Sequence, residues 1–174
     1  MDIVVFGRHD PEQIKAYIAD NHDRFSLENS KRRSATHKIL YFNFHWGLGL
    51  RCKVDILVSG RDSSKLRVPN IPQRYVTSPN DYDIPVVPFL VLIILKVQGW
   101  RDHCKSPRPD FRDKIPQDEE DIPTLLDMTD EDDHRDRHDW WPEWFSKRAK
   151  RHVIRYTNAF PETACSFREL GFDV

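Results

Sequence analysis

The sequence predicts an α/β fold in which a small mixed β-sheet with helices is followed by a mainly helical half. The first third of the chain holds three segments rich in β-branched and aromatic residues, which is the composition of β-strands. These segments lie near residues 2–6, 37–44 and 51–58. After residue 86, apolar residues recur at the three- and four-residue spacing of helices. A length of 174 residues is enough for one domain with a sizeable core.

The chain begins with the signals of a strand and a helix. The predicted strand over 2–6 precedes a predicted helix over about 11–20. Asp10 suits the capping position of that helix, and Pro11 suits its first helical position. A further short strand is predicted near 24–29, before a polar loop.

The two longer strands predict a hairpin. The segments 37–44 and 51–58 are joined by the glycine-containing residues 45–50, which are typical of a hairpin loop between antiparallel strands. The proline-rich stretch that follows is predicted to be irregular, with a short strand near 73–76. We therefore assign residues 1–85 to an α/β core.

Residues 86–174 are expected to pack on this core as helices within a single compact domain. The helix predicted over 87–100 has little polar surface, so we expect it to be the central helix. Residues 105–117 contain three prolines and predict a connector. Asp118 is the predicted cap of a helix that extends to 128. Two last helices are predicted over 140–159 and 161–170.

The composition excludes several classes of protein. With 27 Lys and Arg against 28 Asp and Glu, the formal charge is −1, which excludes a globally basic nucleic-acid binder. The 3 cysteines are too few and too scattered for a disulfide framework. No signal peptide is visible, and the longest apolar run, at 86–95, is shorter than the roughly 20 residues of a membrane span. We expect an intracellular, cytoplasmic protein with no membrane partner.

A carboxylate stands inside the apolar strand over 51–58. An ionised Asp55 among β-branched residues is costly unless it faces solvent, an ion-pair partner or a metal. Alternation places Asp55 on one face with Lys53, so an exposed face with a cross-strand ion pair is one interpretation. Asp2 stands in a similar setting, and two carboxylates on neighbouring strands repel unless a divalent cation neutralises them. A cation site formed by Asp2 and Asp55 is the other interpretation.

The two acidic strands resemble motifs of the nucleotidyltransferase superfamily. Asp2–Val5 is similar to the end of an Asp-x-Asp motif, and residues 53–58 are similar to the strand that bears the third carboxylate. The apolar helix that contains Lys96, followed by Lys114, is similar to the helical half of abortive-infection-type toxins of this superfamily. The resemblance covers roughly residues 1–128.

The later part of the chain resembles uncharacterised fungal members of the same superfamily. The resemblance lies in the string at 98–103 and in the Asp118-x-x-Asp121 spacing that follows it. It implies that an NTP donates a nucleotidyl group, with Mg²⁺, to a hydroxyl on RNA, protein or a small molecule. Asp2 and Asp55 would be the catalytic metal ligands, and Lys96 a phosphate contact. The residues implied for cofactor and nucleotide binding are Lys96, Lys114, Asp118 and Asp121.

The chain departs from the family pattern at its beginning. Members of the superfamily hold the triphosphate with a Gly-Ser turn, which these residues lack, and the first Asp of the Asp-x-Asp pair would fall one position before Met1. We therefore expect a truncated or degenerate member with weak or no activity, because phosphate positioning and charge neutralisation supply most of the catalysis. The alternative is a non-catalytic binding or scaffold domain derived from the same fold.

Other polar clusters have simpler interpretations. The nine acidic residues within 118–133 are typical of a solvated surface, and the basic cluster within 147–155 is expected to pair with them. Nucleic-acid binding by that basic cluster is the alternative. Lys96 either extends to solvent or reaches a carboxylate. His103 has no catalytic partner that the sequence indicates, and His134 with His138 has the spacing of a helical metal pair.

Overall fold

A computed structural model shows an α/β architecture with a mixed sheet and a helical C-terminal half, which confirms the predicted fold class. The chain divides into two compact units, Met1–Asn70 and Ile71–Val174. The sequence places this division at residue 85, and the structure places it at Asn70. The structure describes residues 1–7, 9–30, 36–44, 49–60, 66–76, 78, 84–130 and 138–174. Within these ranges, no helix has the length and apolarity to cross a bilayer.

The first unit is built on a four-stranded sheet with the strand order β1-β4-β3-β2. The strands are β1 (Asp2–Val5), β2 (Phe25–Asn29), β3 (Lys38–Asn43) and β4 (Arg51–Val58). The β1–β4 pair is parallel, whereas β2–β3 and β3–β4 are antiparallel. The predicted antiparallel pairing of β3 with β4 is therefore confirmed, and the loop between them lies largely outside the described residues.

Helix α1 (Pro11–Asn21) covers one face of this sheet and begins as the sequence predicts. The Asp10 side chain accepts a hydrogen bond from the Glu12 backbone N–H at 2.9 Å, and Pro11 occupies the first turn. The helix packs Ile14 and Ile18 onto the sheet. Their contacts are with a buried cluster on the inner face of β3 and β4, formed by Leu40, Val54 and Ile56.

The second unit is helical, and its apolar central helix is α2 (Phe89–Cys104), with seven buried residues. The other helices of the described residues are α3 (Pro109–Arg112), α4 (Ile115–Asp127), α5 (Glu143–Ala159) and α6 (Ala164–Glu169). Helix α2 packs against both α4 and α5. Fully buried side chains that complete this core include Ile122 of α4, Phe145 and Tyr156 of α5, and Phe167 of α6.

Several predicted elements differ in the structure. Residues Gln73–Tyr75 form a 3₁₀ turn, so the predicted strand near 73–76 is wrong. The connector predicted over 105–117 contains α3 and the first residues of α4. Helix α4 begins at Ile115, because a proline in its first turn suits a helix start, so Asp118 is not its cap. Helix α5 begins at Glu143, later than predicted, because the residue before Pro142 avoids the helical conformation.

Candidate functional site

Asp2 and Asp55 lie opposite each other on neighbouring strands. In the parallel register of β1 and β4, Asp2 faces Asp55, and each following residue of β1 faces its successor in β4. Facing residues of paired strands project from the same side of a sheet, so both carboxylates share one face. The pairing is extended by the Asp55 backbone N–H, which donates to the Met1 carbonyl at 2.9 Å. The structure therefore brings together the two carboxylates that the sequence singles out.

The face that carries both carboxylates is the one that α1 does not cover. Ile3 and Val54 pack into the apolar cluster on the opposite face, and alternation leaves Asp2, Lys53 and Asp55 outside it. Asp2 is exposed, whereas the Asp55 side chain is half exposed. Water can therefore reach both groups, and neither requires a buried partner.

Lys53 forms an ion pair with Asp55. The Lys53 Nζ atom lies 2.7 Å from Asp55 Oδ2, and both side chains are about half exposed. The ion pair expected from the alternation is thus present. It joins residues two apart on β4, so the expectation that it would cross between strands is wrong. An exposed pair of this kind adds little to stability.

The same sheet face carries a second charged pair further along β4. The Arg51 guanidinium lies 4.0 Å from the ring centroid of Tyr41 on β3 and pairs with Glu28 on β2. Positive side chains therefore alternate with carboxylates across this face. Among the described residues, no group of three or more His, Cys, Asp or Glu side chains is arranged to hold a metal ion. Carboxylate oxygens suit Mg²⁺, and within the described part of this sheet face Asp2 and Asp55 are the carboxylates that lie opposite each other on paired strands.

A separate cluster in the second unit contains the other predicted site residues. Lys96 of α2 lies 3.0 Å from Asp118 Oδ1 and 2.6 Å from Asp121 Oδ2, both on α4. Asp118 is 4 % exposed, and Asp121 also accepts a hydrogen bond from Gln117 Nε2 at 2.7 Å. The structure thus joins three of the predicted residues and shows that Lys96 reaches carboxylates rather than extending only to solvent.

His103 is the member of this cluster that the sequence reasoning missed. Its Nδ1 atom lies 2.5 Å from Asp118 Oδ2, and its ring packs edge-on against Phe111 at 5.5 Å. Asp118 therefore bridges Lys96 and His103 of α2. The signal in the sequence was the seven-residue spacing of Lys96 and His103, which places both on one helix face two turns apart.

The contacts between Lys96 and Asp121 favour the charged forms of these two groups. Burial by itself lowers the pKa of Lys96, but the contacts with Asp121 and Asp118 outweigh it and raise that pKa above its ordinary value. Hydrogen bonds from Lys96 and Gln117 hold the pKa of Asp121 below its usual range. These contacts join α2 to α4, and the Asp118 carboxylate orients the His103 ring through its contact with Nδ1.

Lys114 does not take part in this network through its side chain. It is exposed, and its Nζ atom lies 5.6 Å from the ring centroid of Phe111. Its carbonyl accepts the backbone N–H of Asp118 at 3.1 Å in the first turn of α4. Of the predicted helical pair, His138 stacks on Trp141 at 4.2 Å, whereas His134 lies outside the described residues.

Comparisons with protein-family models, curated proteins and solved structures found no match to this chain.

Proposed function

We propose that the first unit is a nucleotidyltransferase-like domain that binds Mg²⁺ together with an NTP at Asp2 and Asp55. The observation that supports this proposal is the register that sets the two carboxylates opposite each other on β1 and β4. In the nucleotidyltransferase superfamily, which these strands resemble, carboxylates on neighbouring strands hold the metal ions. The acceptor would be a hydroxyl group of RNA, protein or a small molecule.

The electrostatics of the open sheet face favour a cation at this place. Two ionised carboxylates on adjacent strands repel each other, and a divalent cation between them would remove that repulsion. Mg²⁺ is commonly held by one or two carboxylates, with water and phosphate oxygens as its remaining ligands. The exposure of Asp2 and Asp55 leaves room for such ligands. Phosphate oxygens of the nucleotide would then supply Mg²⁺ ligands in addition to the two carboxylates.

We expect this chain to bind Mg²⁺ and an NTP but to transfer the nucleotidyl group slowly or not at all. The resemblance implies three carboxylates and a Gly-Ser turn, and the residues present supply two carboxylates. In phosphoryl transfer, catalysis depends on positioning the phosphates and neutralising their charge. The proposal therefore assigns slow transfer, or none, to this chain. The roles that the resemblance implies for Lys96, Lys114, Asp118 and Asp121 stay predictions.

The test is a titration with Mn²⁺, which replaces Mg²⁺ and gives an electron paramagnetic resonance signal when free. We expect the protein to deplete that signal on its own, and the protein with ATP to deplete it further than the same ATP concentration does without protein. The variants Asp55→Asn and Asp2→Asn should each weaken Mn²⁺ binding by about tenfold or more, because each removes a ligand. Asp20→Asn is the matched control, since Asp20 is an exposed carboxylate at the end of α1. Equal Mn²⁺ affinity in the wild type, Asp55→Asn and Asp2→Asn would refute the proposal.

Substitution of Lys53 tests the same cation site, with an expected change in Mn²⁺ affinity of the opposite sign. Its ammonium group occupies the position beside Asp55 that a cation would use, so Lys53→Gln should strengthen Mn²⁺ binding about two- to fivefold. Lys105→Gln, which removes an exposed charge in the second unit, should leave the affinity unchanged. A weaker or unchanged affinity in Lys53→Gln would show that Asp55 does not contact the cation.

The alternative is a non-catalytic binding or scaffold domain. The Lys53–Asp55 ion pair favours it, because that pair already gives the strand carboxylate an ordinary partner. This alternative predicts that Mn²⁺ binding is absent, or the same in all of the variants. It also predicts that incubation with labelled NTPs and RNA or protein acceptors transfers no label.

A further inference from the structure

The contact between α2 and α5 contains a polar seam, which we define by Gln98, Arg101, Arg148 and His152. Gln98 is 1 % exposed, and its Oε1 atom accepts a hydrogen bond from Arg148 Nε at 2.9 Å. Trp100 packs edge-on against Tyr156 at 5.1 Å and closes the seam on one side. Polar side chains are thus held in fixed positions between two helices that otherwise pack through apolar groups.

Two donors in this seam have no hydrogen-bond partner in the described part of the chain. His152 is 3 % exposed, and neither of its ring nitrogens is bonded. The Nε atom of Arg101, also shielded from solvent, is likewise unbonded. Buried polar groups in folded proteins are nearly always hydrogen-bonded, and leaving them unpaired is costly. A bound group with acceptor atoms would satisfy both.

The charge around His152 is strongly positive. Burial and the charges of Arg101, Arg148, Arg155 and Arg151 lower the pKa of His152 to about 3. The imidazole is therefore neutral at pH 7 and keeps one N–H donor. Four arginines close to one uncharged ring form a local excess of positive charge within a chain whose net charge is −1.

Each of the two lysines of α5 has a carboxylate beside it. Lys147 Nζ lies 2.5 Å from Glu143 Oε1, and Lys150 Nζ lies 3.1 Å from Asp173 Oδ2. These pairs replace, for the two lysines, the expected pairing with the acidic run. For Arg101, the carboxylate of its neighbour Asp102 lies 3.6 Å away, a long contact on the exposed side. Within the described residues Arg155 has no carboxylate beside it, so Arg101 and Arg155 are a better place for an external anion than the lysines.

We propose that the seam binds a phosphate group, held by Arg101 and His152 at its base and by Arg155 at its mouth. A phosphate offers several acceptor oxygens, and the planar guanidinium of arginine matches their geometry. The neutral His152 would donate one hydrogen bond without adding charge. This site lies within the second unit and does not depend on the proposed role of Asp2 and Asp55.

Isothermal titration with inorganic phosphate in EDTA tests the proposal without any divalent cation. We expect binding by the wild type, and a loss of about tenfold or more in Arg101→Gln, because a charge-assisted donor is removed. Arg155→Gln, at an exposed position, should also weaken binding and is the variant to use if Arg101→Gln unfolds. Lys150→Gln is the matched control on the same helix and should bind as the wild type does. Asp55→Asn should also bind as the wild type does, which separates this site from the proposed function.

Two further probes identify the source of the phosphate. Binding of AMP with an affinity similar to that of inorganic phosphate would support a site for a terminal phosphate. The opposite result would be tight binding of a single-stranded oligonucleotide, no binding of inorganic phosphate, and equal losses of affinity in Lys150→Gln and Arg155→Gln. That result would refute a phosphate site in the seam and assign binding to the outer basic surface. Phosphate binding that is absent, or unchanged in both Arg101→Gln and Arg155→Gln, would also overturn it.

Discussion

Asp118 is an acidic residue that is almost fully buried, and both of its partners come from α2. Lys96 and His103 approach its two carboxylate oxygens separately, so each oxygen has a defined partner. A buried carboxylate is stable only with such compensation. From the sequence, Asp118 was predicted to be a helix cap and a site residue. Its burial and its contact with Lys96 became visible only when α2 and α4 were seen side by side.

His152 shows the reverse case, a buried titratable group surrounded by like charges. Its pKa is about 3 in the folded protein and 6.5 in an unfolded chain. Below pH 6.5 the unfolded state therefore binds a proton that the folded state does not, and stability falls as the pH falls towards 3. Above pH 6.5 the ring is mostly neutral in both states, so its titration costs no stability there.

We predict a pH dependence of stability that depends on His152. Between pH 6.5 and pH 5, protonation of the unfolded state should lower the free energy of unfolding by about 2 kcal/mol. Urea denaturation at several pH values measures this. The variant His152→Gln should lose that part of the slope, whereas His22→Gln, at an exposed position, should keep it. Parallel profiles for the wild type and His152→Gln would contradict the prediction.

Helix α2 combines an apolar body with two polar stretches, one at its contact with α5 and one along its more open side. Its buried residues contact α4 and α5, while Lys96, Gly99 and His103 follow one another along its more open side. The apolar run predicted the helix and its central position. It did not predict that the helix continues to Cys104, because the polar residues after Gly99 weaken the periodic signal.

Gly99 offers a test of this helix by substitution. A Cβ atom built at Gly99 meets no other atom within 4 Å, and glycine inside a helix costs stability through backbone entropy. Gly99→Ala should therefore raise the free energy of unfolding by about 0.5–1 kcal/mol in urea denaturation.

Gly171 is the matched control for that substitution. It ends α6 with a φ of 85°, in the left-handed region that favours glycine. Gly171→Ala should therefore destabilise the protein while Gly99→Ala stabilises it. A loss of stability in both variants would contradict the prediction for Gly99→Ala.

The chain as a whole consists of two units of unequal size. The first has a small buried apolar cluster formed by Leu40, Val54 and Ile56. The second buries a longer series of apolar side chains, among them Leu90, Phe145 and Tyr156. The share of surface buried on folding rises with size, so we expect the second unit to have the larger free energy of unfolding.

We expect residues 71–174 to fold when expressed alone. Circular dichroism should show a helical spectrum and a cooperative thermal transition, because the apolar core of this unit is formed by its own helices. The matched control is residues 1–70, which should unfold at a lower temperature because its core is smaller. A broad, non-cooperative transition for 71–174, with binding of a hydrophobic dye, would contradict this prediction.

Local patterns in the sequence determined most elements of this protein. Strand composition identified β3, and alternation with a period of two identified β4 and set Asp55 on one face with Lys53. The apolar run identified α2 as the central helix. Short elements near prolines were less predictable, as at Gln73–Tyr75, because few residues carry their signal and neighbouring contacts decide the backbone there.

Only the tertiary structure decided which side chains meet. The pairing of β1 with β4 sets Asp2 opposite Asp55 across more than fifty residues of chain, and packing of α2 on α4 joins His103 to Asp118. It also decided that His152 lies buried among arginines. Periodicity records which face of an element is apolar, whereas the neighbour of that face depends on how all elements bury their surfaces together.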